Sequence, residues 1–246
     1  MNNNTVFSPR DTWAGEYWRE AGRCVKDTRM LMIAALIVAL RVAVKFIKIP
    51  LAADLSLSFD CYVNAVGAVV YGPLMALLVG AVSDTLGAIL APTGPYFLPF
   101  ILVEMSSGFI FALFLWRRTV TLSRVVWSKF TVNLFCNILL NSLLMKWYYN
   151  WLYGSEKVYN LINLVRIVKN LVLFPLEAGL IALLFQALLP ALSSMKLIPK
   201  ACAQPVYERK RVLIEIGVSL LISVGIVLLY IFVLKDYFAA HNIKLL

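Results

Sequence analysis

The chain has 246 residues, of which 61% are hydrophobic and 15% charged, with a mean hydropathy of +0.82. A soluble domain carries about 45–50% apolar and about 25% charged residues. A water-soluble enzyme and a disordered chain are therefore excluded, and an all-α polytopic membrane bundle is expected. At about 20 residues per span there is room for roughly six or seven helices, and for no soluble domain beside them. The net charge of +10, from 23 Lys+Arg against 13 Asp+Glu, would suggest nucleic acid in a soluble protein. Here the positive-inside rule and anionic headgroups account for it, and no nucleic-acid partner is expected.

In chain order, residues 1–29 read as a polar cytoplasmic tail, with a short amphipathic helix around Trp13, Tyr17 and Trp18 lying on the membrane surface. Span one is Met30–Ile49, and span two is Cys61–Tyr71, ended by Gly72-Pro73. Span three is Leu74–Leu90, span four Phe97–Trp116 and span five Phe130–Trp151. Span six is Leu164–Leu189, and span seven Val212–Leu234. Gly-Pro is a strong breaker, and Cys61–Leu90 is too long for one span, so a turn is predicted at Gly72-Pro73. Seven spans put three basic clusters on one side. These are the N-terminal tail, the 4–5 loop with Arg117, Arg118, Arg124 and Lys129, and the 6–7 loop with Lys196, Lys200 and Arg209–Arg211. That side is cytoplasmic. Residues 30–190 then form a six-helix core, and 191–246 a cytoplasmic linker and an additional helix.

Several polar residues interrupt the apolar spans. Asn133, Asn137 and Asn141 repeat every four residues and form one stripe on span five. Such a stripe faces protein or a water-filled cavity, for interhelical hydrogen bonds or for a ligand. Asp84, Glu104 and Glu177 lie in spans three, four and six, and Arg41 and Lys45 in the outer half of span one. Intramembrane charge marks candidate function, although Lys45 and Lys48, near a span end, can snorkel to the interface. Arg166 and Lys169 open span six three residues apart, so they share a face and suit either an anion or interfacial anchoring. Ala35, Ala39 and Ala43 make a smooth ridge on span one, for packing within the chain or for docking another subunit.

No cofactor or metal is expected. Cys24, Cys61, Cys136 and Cys202 form no C-x-x-C pair, and the single histidine, His241, offers no catalytic or metal cluster. There is no Walker A loop, no H-E-x-x-H and no serine-histidine arrangement. A carrier or binding subunit needs only shape and polar contacts, which are present.

Tyr71-Gly72-Pro73 followed by LMALLVGAVSDTLGAILAPTGPYFLPFILVEMSSGFIFALFL (Leu74–Leu115) closely resembles the folate-family S components of energy-coupling-factor (ECF) vitamin transporters. Pro92-Thr93-Gly94-Pro95-Tyr96-Phe97 is the most specific piece of the match. The alanine ridge resembles the family's docking motif on helix one, and RIVKNLVLFPLEAGLIALL (Arg166–Leu184) its last helix. The likeness covers residues 30–190. Span seven has no counterpart in it, and Leu57 stands where relatives often carry an Arg before the Ser-Phe of the first outer loop.

The resemblance implies a substrate-binding subunit that captures a vitamin, with folate the leading candidate, at the outer face and catalyses nothing itself. It implies a partner transmembrane subunit and two ATPases, with Ala35, Ala39 and Ala43 docking the partner. The residues it places at the substrate are Ser58 and Phe59 in the gating loop and Pro95, Tyr96 and Phe97 in the outer loop. Asn133, Asn137 and Asn141 would bond the ring edge, and Arg166 and Lys169 the carboxylates. A stand-alone ion-coupled transporter using Asp84 and Glu104, an S component for another vitamin, and a membrane enzyme or scaffold are the competing readings.

Overall fold

The computed structural model describes residues 6–8, 11–12, 15–52, 55–91, 95–153, 164–205, 207–208, 210, 212–214 and 217, without the side chains of 48–58, 153, 164–169 and 171–172. Span seven lies outside the described residues, apart from helical positions at 212–214 and 217.

Asp27 separates the first two helices. Helix α1 (Gly15–Lys26) ends before it, and α2 (Thr28–Lys45) starts after it, capped by the Asp27 carboxylate, which accepts from the Arg29 backbone N–H at 2.9 Å. Helix α1 buries Tyr17, Glu20, Ala21 and Cys24, one helical stripe. That stripe does not face lipid as expected for a surface helix. Tyr17 packs edge-on against Trp116 and Phe7, with centroids at 5.0 and 5.3 Å, and Trp18 stacks on Phe109 at 6.1 Å. Tyr17 and Trp18 thus seal one end of the bundle, and Trp13 lies outside the described residues.

After α2 the chain forms an antiparallel hairpin, β1 (Lys48–Ala52) with β2 (Leu55–Ser58), irregular between Pro50 and Ala52. It is a small addition to a helical fold, where the sequence suggested only a loop.

Helix α3 (Asp60–Leu90) is a helical hairpin of two arms, 60–71 and 73–90, broken at Gly72, which has φ +80° and ψ −178°. Three contacts show the reversal. The Asn64 amide donates to Ser107 Oγ at 2.8 Å, and a Cβ placed on Gly108 would meet both Asn64 Oδ1 at 3.0 Å and the Ala76 carbonyl at 3.3 Å. Along one straight helix, residues 64 and 76 would be about 18 Å apart. The predicted turn at Gly72-Pro73 is therefore present, and it sits against Trp116.

Helix α4 (Ile101–Leu115) follows a short 3₁₀ turn at Leu98–Phe100 and packs across both arms of α3. Span five is one rod built from three pieces. Helix α5 (Leu122–Thr131), capped by Thr121, passes into a π-helical stretch (Val132–Leu140) and then α6 (Asn141–Tyr153). Helix α7 (Leu164–Ser194) contains Pro175 and Pro190. Among the described residues, Leu98–Leu115 and Leu173–Ser194 are long and apolar enough to cross a membrane, and α3 is as apolar although Gly72 divides it into two arms. Large apolar side chains such as Leu36, Ile89 and Leu98 are more than 60% exposed, as a lipid-facing surface requires.

Candidate functional site

The free ends of the two α3 arms lie at the end of the bundle opposite the Gly72 turn. There α2, α3, α4 and α6 diverge around a cavity of about 550 Å³. That size suits a small-molecule ligand. One wall carries charge: Lys45 from α2, Asp60 and Asp84 from the two arms of α3, and Glu104 from α4. The other is aromatic, with Phe97, Phe100 and Tyr148, and Asn141 and Met145 beside them.

Arg41 organises the charged wall from behind. It is fully buried, donating Nε to Asp60 Oδ1 at 2.9 Å, Nη2 to Asp60 Oδ2 at 2.7 Å, and Nη2 again to Glu104 Oε2. A buried guanidinium needs such partners, and the planar fork fits a carboxylate in two-point contact. Lys45, one turn further along α2, lies 3.7 Å from Asp84 and donates to the Ser83 carbonyl at 3.4 Å. It therefore turns inward instead of snorkelling, because α3 offers it a carboxylate and α2 ends at this level.

The outer loop joins the cavity as the sequence suggested: Pro95, Tyr96 and Phe97 all line it. Phe97 is only 7% exposed, since Trp147, Tyr148, Phe100 and Trp151 pack around it at 5.3–5.7 Å. Its ring pins the loop to α6, leaving little of it for stacking on a ligand. Tyr96 is exposed, as is Pro95, and its hydroxyl lies 3.4 Å from Thr85 Oγ1.

The asparagine stripe divides. Asn133 donates to the Asn170 carbonyl at 3.2 Å, and Asn137 to Asn133 Oδ1 and Asn170 Oδ1, both at 3.1 Å. These two tie span five to α7, and only Asn141 reaches the cavity. Phe59 is half-buried and packs on Tyr62. Ser58 ends β2, and Arg166 and Lys169 lie in the first turns of α7; the side chains of these three are outside the described residues. Ala35, Ala39 and Ala43 are all exposed on α2.

Three members of the basic 4–5 loop depart from a solvated cluster; one is Arg118, which is buried and donates to Thr12 Oγ1 and to the Ser8 carbonyl at 3.5 Å. Lys129 is 2% exposed, paired with Glu177 at 2.9 Å and within 3.5 Å of Cys61 Sγ, because it falls on the inward face of α5. Arg117 is buried 3.6 Å from Glu20 of α1 and lies over the Trp116 ring.

The residues assigned to the substrate left out Asp60, Phe100, Met145 and Tyr148, and also Lys45, Asp84 and Glu104, which the sequence had marked only as intramembrane charges. For the charged ones a signal existed. Arg41 and Lys45 are four apart, on one helix face, and intramembrane carboxylates on neighbouring spans need a cation. The aromatic and methionine positions carried none, since apolar residues on α6 look alike whether they face lipid or cavity.

Residues 29–201 match the family described as ECF transporter, substrate-specific component. A folate transporter FolT of Clostridium novyi is 30% identical over 115 residues, covering 46% of this chain and 63% of that protein. The match thus spans less than two thirds of that relative's own length. A folate transporter FolT of Leuconostoc mesenteroides is 29% identical over 155 residues, covering 63% of this chain and 83% of that protein. A crystal structure of FolT bound with folic acid superposes with a TM-score of 0.52 at 24% identity, over 61% of this chain and 88% of that one, a likeness of fold. The chain belongs to the substrate-specific components of ECF transporters, multi-pass membrane proteins that serve transport and are not enzymes.

Proposed function

We propose that this chain is the substrate-binding subunit of an ATP-driven vitamin importer and that folate is its substrate. The observation that carries the reading is the cavity: about 550 Å³, mixed aromatic and charged, covered by Pro95–Phe97, in a chain whose curated relatives are named folate transporters. The ligand loads from the outer face, with the N-terminus cytoplasmic. Arg166 and Lys169 take the ligand's carboxylates, Asn141 and Tyr96 contact its ring, and Ser58 and Phe59 belong to the covering loop. Asn133 and Asn137 act one layer away, by holding span five to α7. Delivery requires a transmembrane partner and two ATPases, docked through Ala35, Ala39 and Ala43.

Isothermal titration of the purified chain with folate, riboflavin and pantothenate tests this. Folate alone should bind. Arg166→Ala should weaken it about thirtyfold or more, the effect of losing a charge-assisted bond worth about 2–5 kcal/mol. Binding of a neutral vitamin in place of folate would overturn the reading and reduce Arg166 and Lys169 to interfacial anchors.

A further inference from the structure

We infer that the end of the bundle opposite the cavity carries a binding surface for an anionic phospholipid, built from Arg19, Arg23 and Lys26 of α1, Arg29 of α2 and Lys196 just after α7. This surface is separate from the cavity and independent of the ligand that the cavity takes.

Helix α1 buries Tyr17, Glu20, Ala21 and Cys24 and exposes Arg19, Arg23 and Lys26, which recur at four and three residues on its opposite side. The neighbouring carboxylates do not cancel this stripe. Glu20 lies beneath the helix, 2.5 Å from Arg23 and 3.6 Å from Arg117, and Glu16 stands in the first turn, at the end of the stripe away from α2. Asp27 accepts from the Arg29 backbone N–H as the cap of α2. Two further cations then join the stripe. Arg29 Nη2 donates to the Met195 carbonyl at 2.6 Å, a contact between positions 166 residues apart, and this brings the exposed Lys196 beside the start of α2. A general excess of cations on one side of a membrane does not require such an assembly from two distant segments.

The backbone and the apolar border point the same way. Lys196 has φ +56° and closes α7: its N–H donates to the Ser193 carbonyl at 2.9 Å, and that of Leu197 to the Leu192 carbonyl at 3.0 Å. This cap favours glycine at its left-handed position, and here a cation occupies it. Around the cations the surface is hydrocarbon. Leu31, Met32 and Met195 are exposed, and Arg29, Met32 and Leu36 recur at three and four residues, so one exposed face of α2 starts with a guanidinium and continues as apolar side chains. Cations bordered in this way match a lipid phosphate and its tails together. The phosphate meets the guanidinium and ammonium groups, and the acyl chains lie along Met32 and Leu36. A soluble phosphate or an acidic peptide would leave the apolar border in water. The bound lipid also borders Ala35, one residue before Leu36, and so lies at the edge of the proposed docking ridge.

The test uses the full chain purified in detergent and native mass spectrometry, titrated separately with dioleoyl-phosphatidylglycerol and dioleoyl-phosphatidylcholine. Wild-type protein should bind the first phosphatidylglycerol about tenfold or more tighter than phosphatidylcholine, since each cation near an anionic headgroup is worth about fivefold. Lys196→Gly should weaken phosphatidylglycerol about fivefold and leave phosphatidylcholine unchanged. Glycine suits φ +56°, so the melting temperature of this variant should not fall, and misfolding cannot imitate the loss. Adding Lys26→Gln should bring the loss to about 25-fold. Equal affinity of wild-type protein for the two lipids would overturn the assignment, and so would a wild-type preference retained in the double variant. Displacement of phosphatidylglycerol by an equal concentration of glycerol 3-phosphate or of hexaglutamate would also overturn it, and would give these cations to a soluble phosphate or to an acidic protein segment.

Discussion

Gly72→Ala tests the turn on which the cavity depends. Residue 72 has φ +80° with ψ near 180°, a region that only glycine occupies freely, at a cost of about 1–3 kcal/mol for other residues. The added methyl would also lie 2.6 Å from Trp116 Cε2. Trp116 is 1% exposed and wedged by Tyr17 and Phe7, so it cannot swing aside, and overpacking of that kind costs about 1–3 kcal/mol. The two together come to about 4 kcal/mol. At about 3 °C per kcal/mol for a chain of this length, the melting temperature should fall by about 12 °C. The assay is a thermal scan on tryptophan fluorescence, run beside folate titration, since the turn is what brings Asp60 and Asp84 to one cavity. In a Trp116→Leu background the penalty should shrink by the overpacking share, about 1–3 kcal/mol, leaving the backbone cost. An unchanged melting temperature in Gly72→Ala would refute the reasoning and mean that α3 runs through residue 72 as a kinked helix.

The buried Lys129–Glu177 pair should behave as desolvated pairs do: Lys129→Met strands a carboxylate and costs about 3–5 kcal/mol, and adding Glu177→Leu recovers most of it. Equal melting temperatures for the single and double variants would show that the pair is hydrated. Cysteines placed by Asn2→Cys and Lys244→Cys should label from opposite sides with an impermeant maleimide; labelling from one side would mean an even number of spans. The native background should be low, because burial pushes the Cys24 and Cys202 thiols each up to about 11, leaving little thiolate to react. Ala39→Trp should abolish co-purification of partner subunits and leave folate titration unchanged; association at the wild-type level would remove the ridge from the docking surface.

What was legible in the sequence follows from which physical signals are local. The helical class, the turn at Gly72-Pro73 and the inward loop Pro95–Phe97 rest on composition, a breaker pair and a short specific motif, all readable without tertiary contacts. Asn133 and Asn137 share a helical stripe with Asn141, and the stripe correctly excludes lipid. Periodicity does not say where a cavity stops, however. Asn170 on α7 takes the first two, and the π-helical stretch ends at Asn141, which alone reaches the cavity. Lys45 and Lys129 illustrate the same limit. A lysine near a span end reads as snorkelling or as loop charge until a carboxylate on another helix, Asp84 or Glu177, is seen to face it. Phe97 shows a further limit: an aromatic in a binding loop suggests stacking, whereas four rings on its neighbours had already claimed it.

Helix α2 joins the two halves of the proposed function. Its 18 residues present Ala35, Ala39 and Ala43 outward, while Arg41 and Val42 are buried and Lys45 is half-buried at the cavity. Arg41 lies two residues beyond Ala39, and Lys45 two beyond Ala43; at 3.6 residues per turn that is about 200° of rotation, so ridge and cations stand back to back. A change at Ala39 therefore leaves the charged wall intact, which is why loss of partner with retained binding is the signature of a docking surface. The converse also holds. Ligand occupancy can bias docking only if α2 takes a different position when the cavity is filled, because a ligand shifts an equilibrium by no more than its difference in affinity for the two states. Coupling would then travel through one rigid helix whose opposite faces meet the ligand and the partner, with no longer path required.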